Sequence, residues 1–478
     1  MTSYTIVGGG ISGLYCAYRL LQTDSTCNIK ILEKMDRLGG RIMTQSMYGH
    51  ILEYGPMRFE PDLQKKFASL LEELKIDVKV FSPYTCPIEP PDYNQITFEE
   101  ISAIERYSNL SPAFALLKHG LSKILKDQWN IDQDHIDDTK RDECKAWLKK
   151  NGTFQGRKLH DYGLWDILAN VLSKNALDYI QHKGTFYHML ELNPNASDQI
   201  CFMLDILATA NYHLITMKNG SQKLIECLYE KLLSYPEERC KILLNKTVKS
   251  IEENEKLKIN YTENETMIEK ILECDHVIFT CQKKAYYDID FKFVEKNYKN
   301  ELKMLLNSVM NVYLYKIFVI LENPPFDENT IPTPNYNATR IPCREIHYYY
   351  YKNNSTGMIM IYGDLPSLNY WSRMNHKNYI SNDDDYMKKH LLHYLQQIFQ
   401  EKDIQIKNYT MIDWSKEPYK TGVHLWKPGY VSEDIIQKLS VFGLYKNMHI
   451  CGETFSNYQG FIEGSLRTVD NVLSKLKT

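Results

Sequence analysis

Tyr4-Thr5-Ile6-Val7-Gly8-Gly9-Gly10-Ile11-Ser12-Gly13 opens the chain with a short apolar strand that runs straight into a glycine turn and a helix. The β-branched and aromatic residues read as a buried strand. The glycines fit the pattern G-x-G-x-x-G, and each has its own task. Gly8 permits the tight turn, Gly10 lets the backbone approach a pyrophosphate, and Gly13 lets helix and strand pack closely. The helix over Ser12–Gln22 would turn its first N–H groups, from Ile11 and Ser12 onward, toward that pyrophosphate. A second strand, Cys27–Glu33, completes a βαβ opening and ends on a carboxylate about 20 residues beyond the turn, where an acid accepts hydrogen bonds from ribose hydroxyls. A purely structural glycine turn is the alternative, and the placed carboxylate argues against it.

Outward from this core, Lys34-Met35-Asp36-Arg37-Leu38-Gly39-Gly40-Arg41 brings two glycines and a cation soon after the ribose carboxylate. That order suggests a second pass of backbone and cation along a diphosphate. At the far end, Cys451-Gly452-Glu453 closes a strand and Gly460-Phe461-Ile462-Glu463-Gly464 opens the last helix. A second helix N-terminus beside a carboxylate could hold a ribitol chain and a flavin ring edge. Taken singly, each piece is a loop and a capped helix; in this order they favour flavin over nicotinamide.

The 478 residues are 43% hydrophobic and 24% charged, which predicts a globular chain of two or three packed units. A net charge of -3 gives no electrostatic reason for a nucleic acid or an anionic membrane as partner. Eleven cysteines, with no C-x-x-C pair, read as free thiols in a reducing compartment, and no metal site is expected. No secretory leader precedes the first strand and no apolar run approaches bilayer length, so a cytoplasmic location is expected.

The chain therefore reads as α/β: a discontinuous, Rossmann-like FAD-binding domain, a mixed-sheet substrate domain and a helical insertion. The expected divisions are 1–57, 212–285 and 431–478 for the FAD-binding parts, 58–97 and 286–430 for the substrate domain, and 98–211 for the insertion. Pro61 is expected to start an amphipathic helix, Gly220–Leu233 another, and Gly460–Lys475 the last. Strands are expected over Val312–Leu321, Ile346–Tyr351 and Met358–Tyr362.

With these pieces the sequence resembles the flavin-containing amine oxidase family over nearly its whole length. The resemblance implies that FAD is held by Gly8, Gly10, Ile11, Ser12 and Gly13, by Glu33 with Lys34, by Arg41, and by Glu453 with Gly460, Phe461 and Ile462. It also implies that the backbone of Val248 meets the adenine, and that Gly55, Met57 and Arg58 border the flavin. Covalent members carry a cysteine where this chain has Thr421-Gly422-Val423-His424, so non-covalent FAD is expected.

Glu53-Tyr54-Gly55-Pro56-Met57-Arg58-Phe59 resembles the L-amino-acid oxidase branch, whose arginine binds the substrate carboxylate. A planar guanidinium matches a carboxylate in two parallel hydrogen bonds. The alternative is that Arg58 pairs with a structural acid such as Glu53. Tyr362 resembles the tyrosine that shares the carboxylate, and Lys316 the active-site lysine that holds a water at the flavin. Gly460 and Phe461 would border the substrate, with Trp426 helping to confine its side chain. The branch also uses a histidine from the helical insertion, and none is assigned here.

The implied reaction is oxidative deamination of an L-amino acid to a 2-oxo acid, ammonia and hydrogen peroxide. Its partners are a small amine or amino acid and dioxygen; the oligomeric state, a homodimer included, stays open. A polyamine or monoamine oxidase on the same fold and a flavin-binding protein without turnover are the alternatives.

Overall fold

In a computed structural model of the chain, the structure describes residues 2–81, 90–132, 137–184, 192–208, 213–327, 342–350, 355–374, 380–381 and 384–476. The strand Ser3–Val7 lies at the middle of a five-stranded parallel sheet. Asn28–Leu32 flanks it on one side and His276–Phe279 on the other, with Cys240–Leu243 and Met448–Ile450 outside them. Burial of Ile6, Ile29, Ile31, Val277 and Ile278 fits strands covered on both faces.

The helix Ile11–Thr23 packs on this sheet through Leu14, Ala17, Leu20 and Leu21. Its contact with the strand is tight at one point: a Cβ on Gly13 would lie 2.0 Å from the Gly8 carbonyl oxygen. Gly8 itself takes a φ of +114°, open to glycine alone at little cost. The last helix, Ile462–Leu476, packs in the same apolar cluster, so both ends of the described chain share one core.

Beside the parallel sheet, Lys246–Glu252, Leu257–Glu263 and Ile268–Cys274 form an antiparallel meander. The pairing register shifts between Val248 and Ser250, a bulge that leaves the ladder irregular at Val248.

The second large sheet runs in the order Glu345–Tyr350, Thr356–Gly363, Tyr315–Glu322, Gln405–Asp413, Ile380–Ser381. All its described pairings are antiparallel, a narrower arrangement than the mixed sheet expected. The period of two along Tyr315–Glu322 divides its side chains between two cores. Tyr315, Ile317, Val319 and Leu321 join the cluster under the helix Asp385–Phe399. Phe318 and Ile320 join the cluster shared with the helical block.

That block holds Phe98–Arg106, Pro112–Trp129, Asp138–Asn151, Leu164–Leu168, Lys174–Lys183 and Ala196–Ala208. Side chains start several of these helices: Ser111 accepts from the Phe114 N–H, and Thr97 and Glu100 form a capping box. The block's expected end, at residues 210–211, lies outside the described residues, as does Tyr351.

Two expectations need correction. The strand expected over Val312–Leu321 is two strands, because the chain changes partner between them: Val309–Val312 pairs with Val423–Trp426, and Tyr315–Glu322 belongs to the large sheet. The helix expected from Pro61 begins at Lys65, because Pro61 sits in a turn closed by the Gln64 N–H to the Glu60 carbonyl.

The Gly13 contact can be tested directly. Gly13→Ala forces a methyl against a backbone oxygen and should cost roughly 1–3 kcal/mol or more, as overpacking does. Gly10→Ala should be almost neutral to thermal unfolding, since its Cβ would meet nothing closer than 3.9 Å. Equal melting temperatures for the two variants would refute the contact argument.

Candidate functional site

A cavity of about 720 Å³ runs from the glycine turn to the polar face of the antiparallel sheet. At its first end, Gly8, Gly10, Ile11, Ser12, Glu33 and Lys34 line the wall. Gly13 does not; it supports the turn from behind. The helix behind Gly10 has no side-chain cap and no acid in its first turn, so its N-terminal N–H groups are left for another acceptor. The space beside Gly10 is bounded by glycine backbone alone, near Gly39 and Gly40. Glu33 receives the Gly9 N–H at 2.6 Å and the Met35 N–H at 2.8 Å. Burial raises its pKa, against those two hydrogen bonds. Val248 lines the same end at its bulge. An open helix terminus, a glycine floor and a buried carboxylate suit a dinucleotide.

In the middle of the cavity, Arg41 donates to the Gly422 carbonyl at 2.7 Å and pairs with Glu453 at 2.9 Å. Glu453 also accepts the His424 N–H and the Gly460 N–H, each at 2.9 Å, and contacts His424 Nδ1 at 3.0 Å. Burial opposes its charge, but Arg41 and His424 outweigh it and hold the carboxyl far below its usual range. Gly460 turns here with a φ of +85°. Phe461 packs against Tyr458 and Phe202 at ring distances of 5.2 and 5.8 Å, and Ile462 begins the last helix. Gly55 is fixed by close approach, since a Cβ there would lie 2.0 Å from the Arg41 carbonyl oxygen. Met57 lines the wall beside it. Trp426 also borders the cavity, but it is 1% exposed and donates to the Ser456 carbonyl, so it belongs mainly to the core.

At the far end Arg58, Lys316 and Tyr362 line the same cavity, with two residues the sequence reading missed, Glu345 and His347. Register explains the grouping: Lys316 lies opposite Tyr362, and Tyr362 opposite Glu345, on three neighbouring strands. Lys316 donates to the Glu53 carbonyl at 2.8 Å and the Gly55 carbonyl at 2.5 Å. Burial pushes its pKa well below the usual lysine range, against the pull of Glu53.

Arg58 does pair with an acid, but the acid is Glu345, at 3.3 Å. Glu53 instead receives the Ser221 N–H and the hydroxyls of Ser221 and Thr44. The same Glu345 oxygen contacts His347 Nε2 at 2.6 Å. Burial works against the Glu345 charge, yet Arg58 and His347 prevail and bring its pKa down to about 2. Burial lowers the pKa of His347 and raises that of Tyr362. The missed signal was a carboxylate and an imidazole two apart in Glu345-Ile346-His347, which alternation puts on one face of an otherwise apolar strand. The helical block adds Gln199, Phe202 and Asp198 to the wall; Asp198 pairs with Lys149 at 2.9 Å.

Among the described residues, no group of three His, Cys, Asp or Glu could hold a metal, and no helix is long and apolar enough to cross a membrane.

Comparison with known proteins follows the same outline. A family model described as flavin containing amine oxidoreductase matches residues 11–469. An uncharacterized protein of Acanthamoeba polyphaga mimivirus is 21% identical over 507 aligned residues, covering 98% of this chain and 92% of its own. A possible lysine-specific histone demethylase 1 of Drosophila melanogaster shares 32% identity over 117 residues, 24% of this chain and 13% of that protein. The solved structure of a wild-type putrescine oxidase bound to putrescine superposes with a TM-score of 0.69 at 14% identity, covering 100% of this chain and 99% of that one.

Glu33→Ala removes an acceptor that charge makes strong, so retention of a bound dinucleotide should weaken by roughly 1.5–3 kcal/mol. Equilibrium dialysis or ultrafiltration measures this, and undiminished retention would show that Glu33 serves only the Gly9 turn.

Proposed function

Because the chain belongs to the family of flavin-containing amine oxidoreductases, we propose that it is an FAD-dependent oxidase of a small amine, with an L-amino acid as its substrate class. The observation that supports this is one continuous cavity that joins a dinucleotide cradle to a pocket bordered by Arg58, Tyr362 and Lys316. Gly8, Gly10, Ile11 and Ser12 would hold the pyrophosphate, with Gly13 supporting the turn from behind; Glu33 and Lys34 would hold the ribose, and the Val248 backbone the adenine. Arg41, Glu453 and Gly460 to Ile462, with Gly55 and Met57 opposite, would hold the rest. No cysteine occurs in Thr421–His424, which favours non-covalent binding. When bound, the flavin supplies a two-electron acceptor for the hydride on the amine-bearing carbon, and dioxygen carries those electrons away as hydrogen peroxide.

In this reading Arg58 and Tyr362 hold the substrate carboxylate and Phe461 borders the side chain. Lys316 spends two N–H groups on carbonyls and keeps one position for a water. The imine product hydrolyses in water to a 2-oxo acid and ammonia. A second reading, an amine without a carboxylate, is favoured by the Arg58–Glu345 pair. That pair presents no net charge, so a cationic amine is not repelled as it would be by a lone guanidinium. Putrescine oxidase, whose fold this chain shares, acts on such an amine.

The experiment is to purify the protein, release its flavin with acid, and screen L-amino acids and polyamines for peroxide. Arg58→Ala and Glu345→Gln then separate the two readings by sign. If Arg58 holds a carboxylate, its loss costs roughly 2–5 kcal/mol of substrate binding, and Glu345→Gln tightens binding by removing a competitor for the guanidinium. If the substrate is a plain amine, Glu345→Gln weakens binding. Flavin that stays with the acid-precipitated chain would contradict non-covalent attachment.

Lys316→Met keeps length and apolar packing but removes the donor. Flavin content should stay normal while reduction or reoxidation slows in stopped flow. Unchanged rates in both half-reactions would leave Lys316 a structural tie between Glu53 and Gly55.

A further inference from the structure

We infer that the substrate carries a second, distal ammonium group, and that Asp198, with Gln199 beside it, holds that group at the wall formed by the helical block. This deepens the amine-oxidase reading above and rests on it. The class named is a primary amine with two cationic ends, whether a diamine or a basic L-amino acid.

The helix Ala196–Ala208 sets the geometry. Asp198, Gln199, Phe202, Met203 and Ile206 line the cavity, a spacing that falls on one face of a helix. Phe202 packs against Phe461 with ring centroids 5.8 Å apart, and Asp198 stands one turn along the same wall, about 5–6 Å from Phe202. The Asp198 side chain is 8% exposed. It accepts from Lys149 Nζ at 2.9 Å and from Ser432 Oγ at 2.7 Å, and both bonds fall on Oδ1. Oδ2 receives none among the described residues and is not sealed from solvent.

The charges here do not balance. Lys149 also pairs with Glu433, so one ammonium serves two carboxylates, whereas Arg41 with Glu453 and Arg58 with Glu345 are matched one to one. Burial raises the Asp198 pKa against the pull of Lys149, and Glu433 adds to the rise. An arriving cation stabilises the ionised form. A surplus carboxylate alone could be a plain tie between helices. Gln199 points to a ligand: it is 6% exposed and lines the cavity, its amide makes no hydrogen bond among the described residues, and neither amide atom is sealed from solvent. A buried amide of that kind calls for a partner.

An ammonium has three N–H donors and no acceptor. It can give one to Asp198 Oδ2, one to the Gln199 carbonyl oxygen and the third to water. A methyl group in its place would leave the carboxylate and the amide without partners, and a site built to hydrogen-bond rejects an analogue that cannot. The carboxylate of a basic amino acid would still go to Arg58; a diamine leaves Arg58 to Glu345.

The test uses two pairs of substrates that differ only in the distal nitrogen: L-lysine with L-norleucine, and cadaverine with pentylamine. Peroxide release by the holoenzyme gives kcat and KM for each, and the pair that is oxidised tells the amino acid from the diamine. Within that pair the dibasic member should have the higher kcat/KM by roughly 30-fold or more, the scale of a buried charge pair. The difference should sit mainly in KM, since the distal group does not react. Asp198→Asn should bring the ratio close to one by raising the KM of the dibasic member. Gln199→Met, which keeps length but not the amide, should cut it by roughly tenfold. Flavin content and melting temperature show whether each variant is folded; if Asp198→Asn is not, the wild-type ratio and Gln199→Met decide. Equal or lower efficiency for the dibasic member in wild type would overturn the inference and leave the oxidase reading standing, with Asp198 a tie between helices. A ratio that survives Asp198→Asn would overturn it too. If none of the four is oxidised while another amine releases peroxide, this inference alone falls; if no amine does, the oxidase reading falls with it.

Discussion

Glu453 gathers three distant stretches of chain on one buried carboxylate. Arg41 comes from the loop after the second strand, His424 from the strand Val423–Trp426, and the Gly460 N–H from the turn before the last helix. A buried anion is tolerated only when its charge is balanced and its lone pairs are filled. None of the three stretches can therefore move away without leaving a charge exposed to a low dielectric. The tie also decides what faces the cavity, since it sets the Gly460 turn and hence the direction of Phe461. Many features described above, from the Gly422 carbonyl on Arg41 to the Gly55 contact with the Arg41 backbone, radiate from that point.

At the other end of the cavity, an apolar preference does the organising. Tyr315, Ile317, Val319 and Leu321 must face the helix Asp385–Phe399, which turns Lys316 to the opposite side. Antiparallel pairing then aligns Tyr362 and Glu345 beside it. A slip of one residue would drive Lys316 into the apolar cluster and Tyr315 into the cavity, so the register is strongly specified. Packing on the hidden face thus fixes the polar row on the functional face, where burial shifts Lys316 and Tyr362 while Arg58 and His347 override it at Glu345.

How much of this could be read beforehand varies with the distance over which the cause acts. The strand Tyr4–Val7, the glycine turn and Glu33 are governed by neighbours in sequence, and they stand where local chemistry puts them. Lys316 was visible because a cation among Ile317, Phe318 and Val319 demands an explanation. The partner of Arg58 was not visible: Glu53 is near in sequence, yet Ser221 and Thr44 occupy it, and Glu345 arrives through a sheet. His347 was not legible because the strand begins at Glu345, one residue before the apolar run from Ile346, and only then do the two side chains share a face. The break between Val312 and Tyr315 was lost for a similar reason, since only the identity of the pairing strands reveals it.

The parallel sheet holds a further consequence in its order of strands. Its central strand belongs to the first few residues, while an outer strand and a covering helix come from 448–476. Tyr15 on the first helix bonds Asp470 on the last, 455 positions later. During synthesis the early strands must therefore wait, apolar surface uncovered, until the far end of the chain has left the ribosome. Contacts of such long range also slow folding, because the loop they close is long. The parallel sheet beneath the glycine turn is therefore completed late in folding, although its central strand is made first.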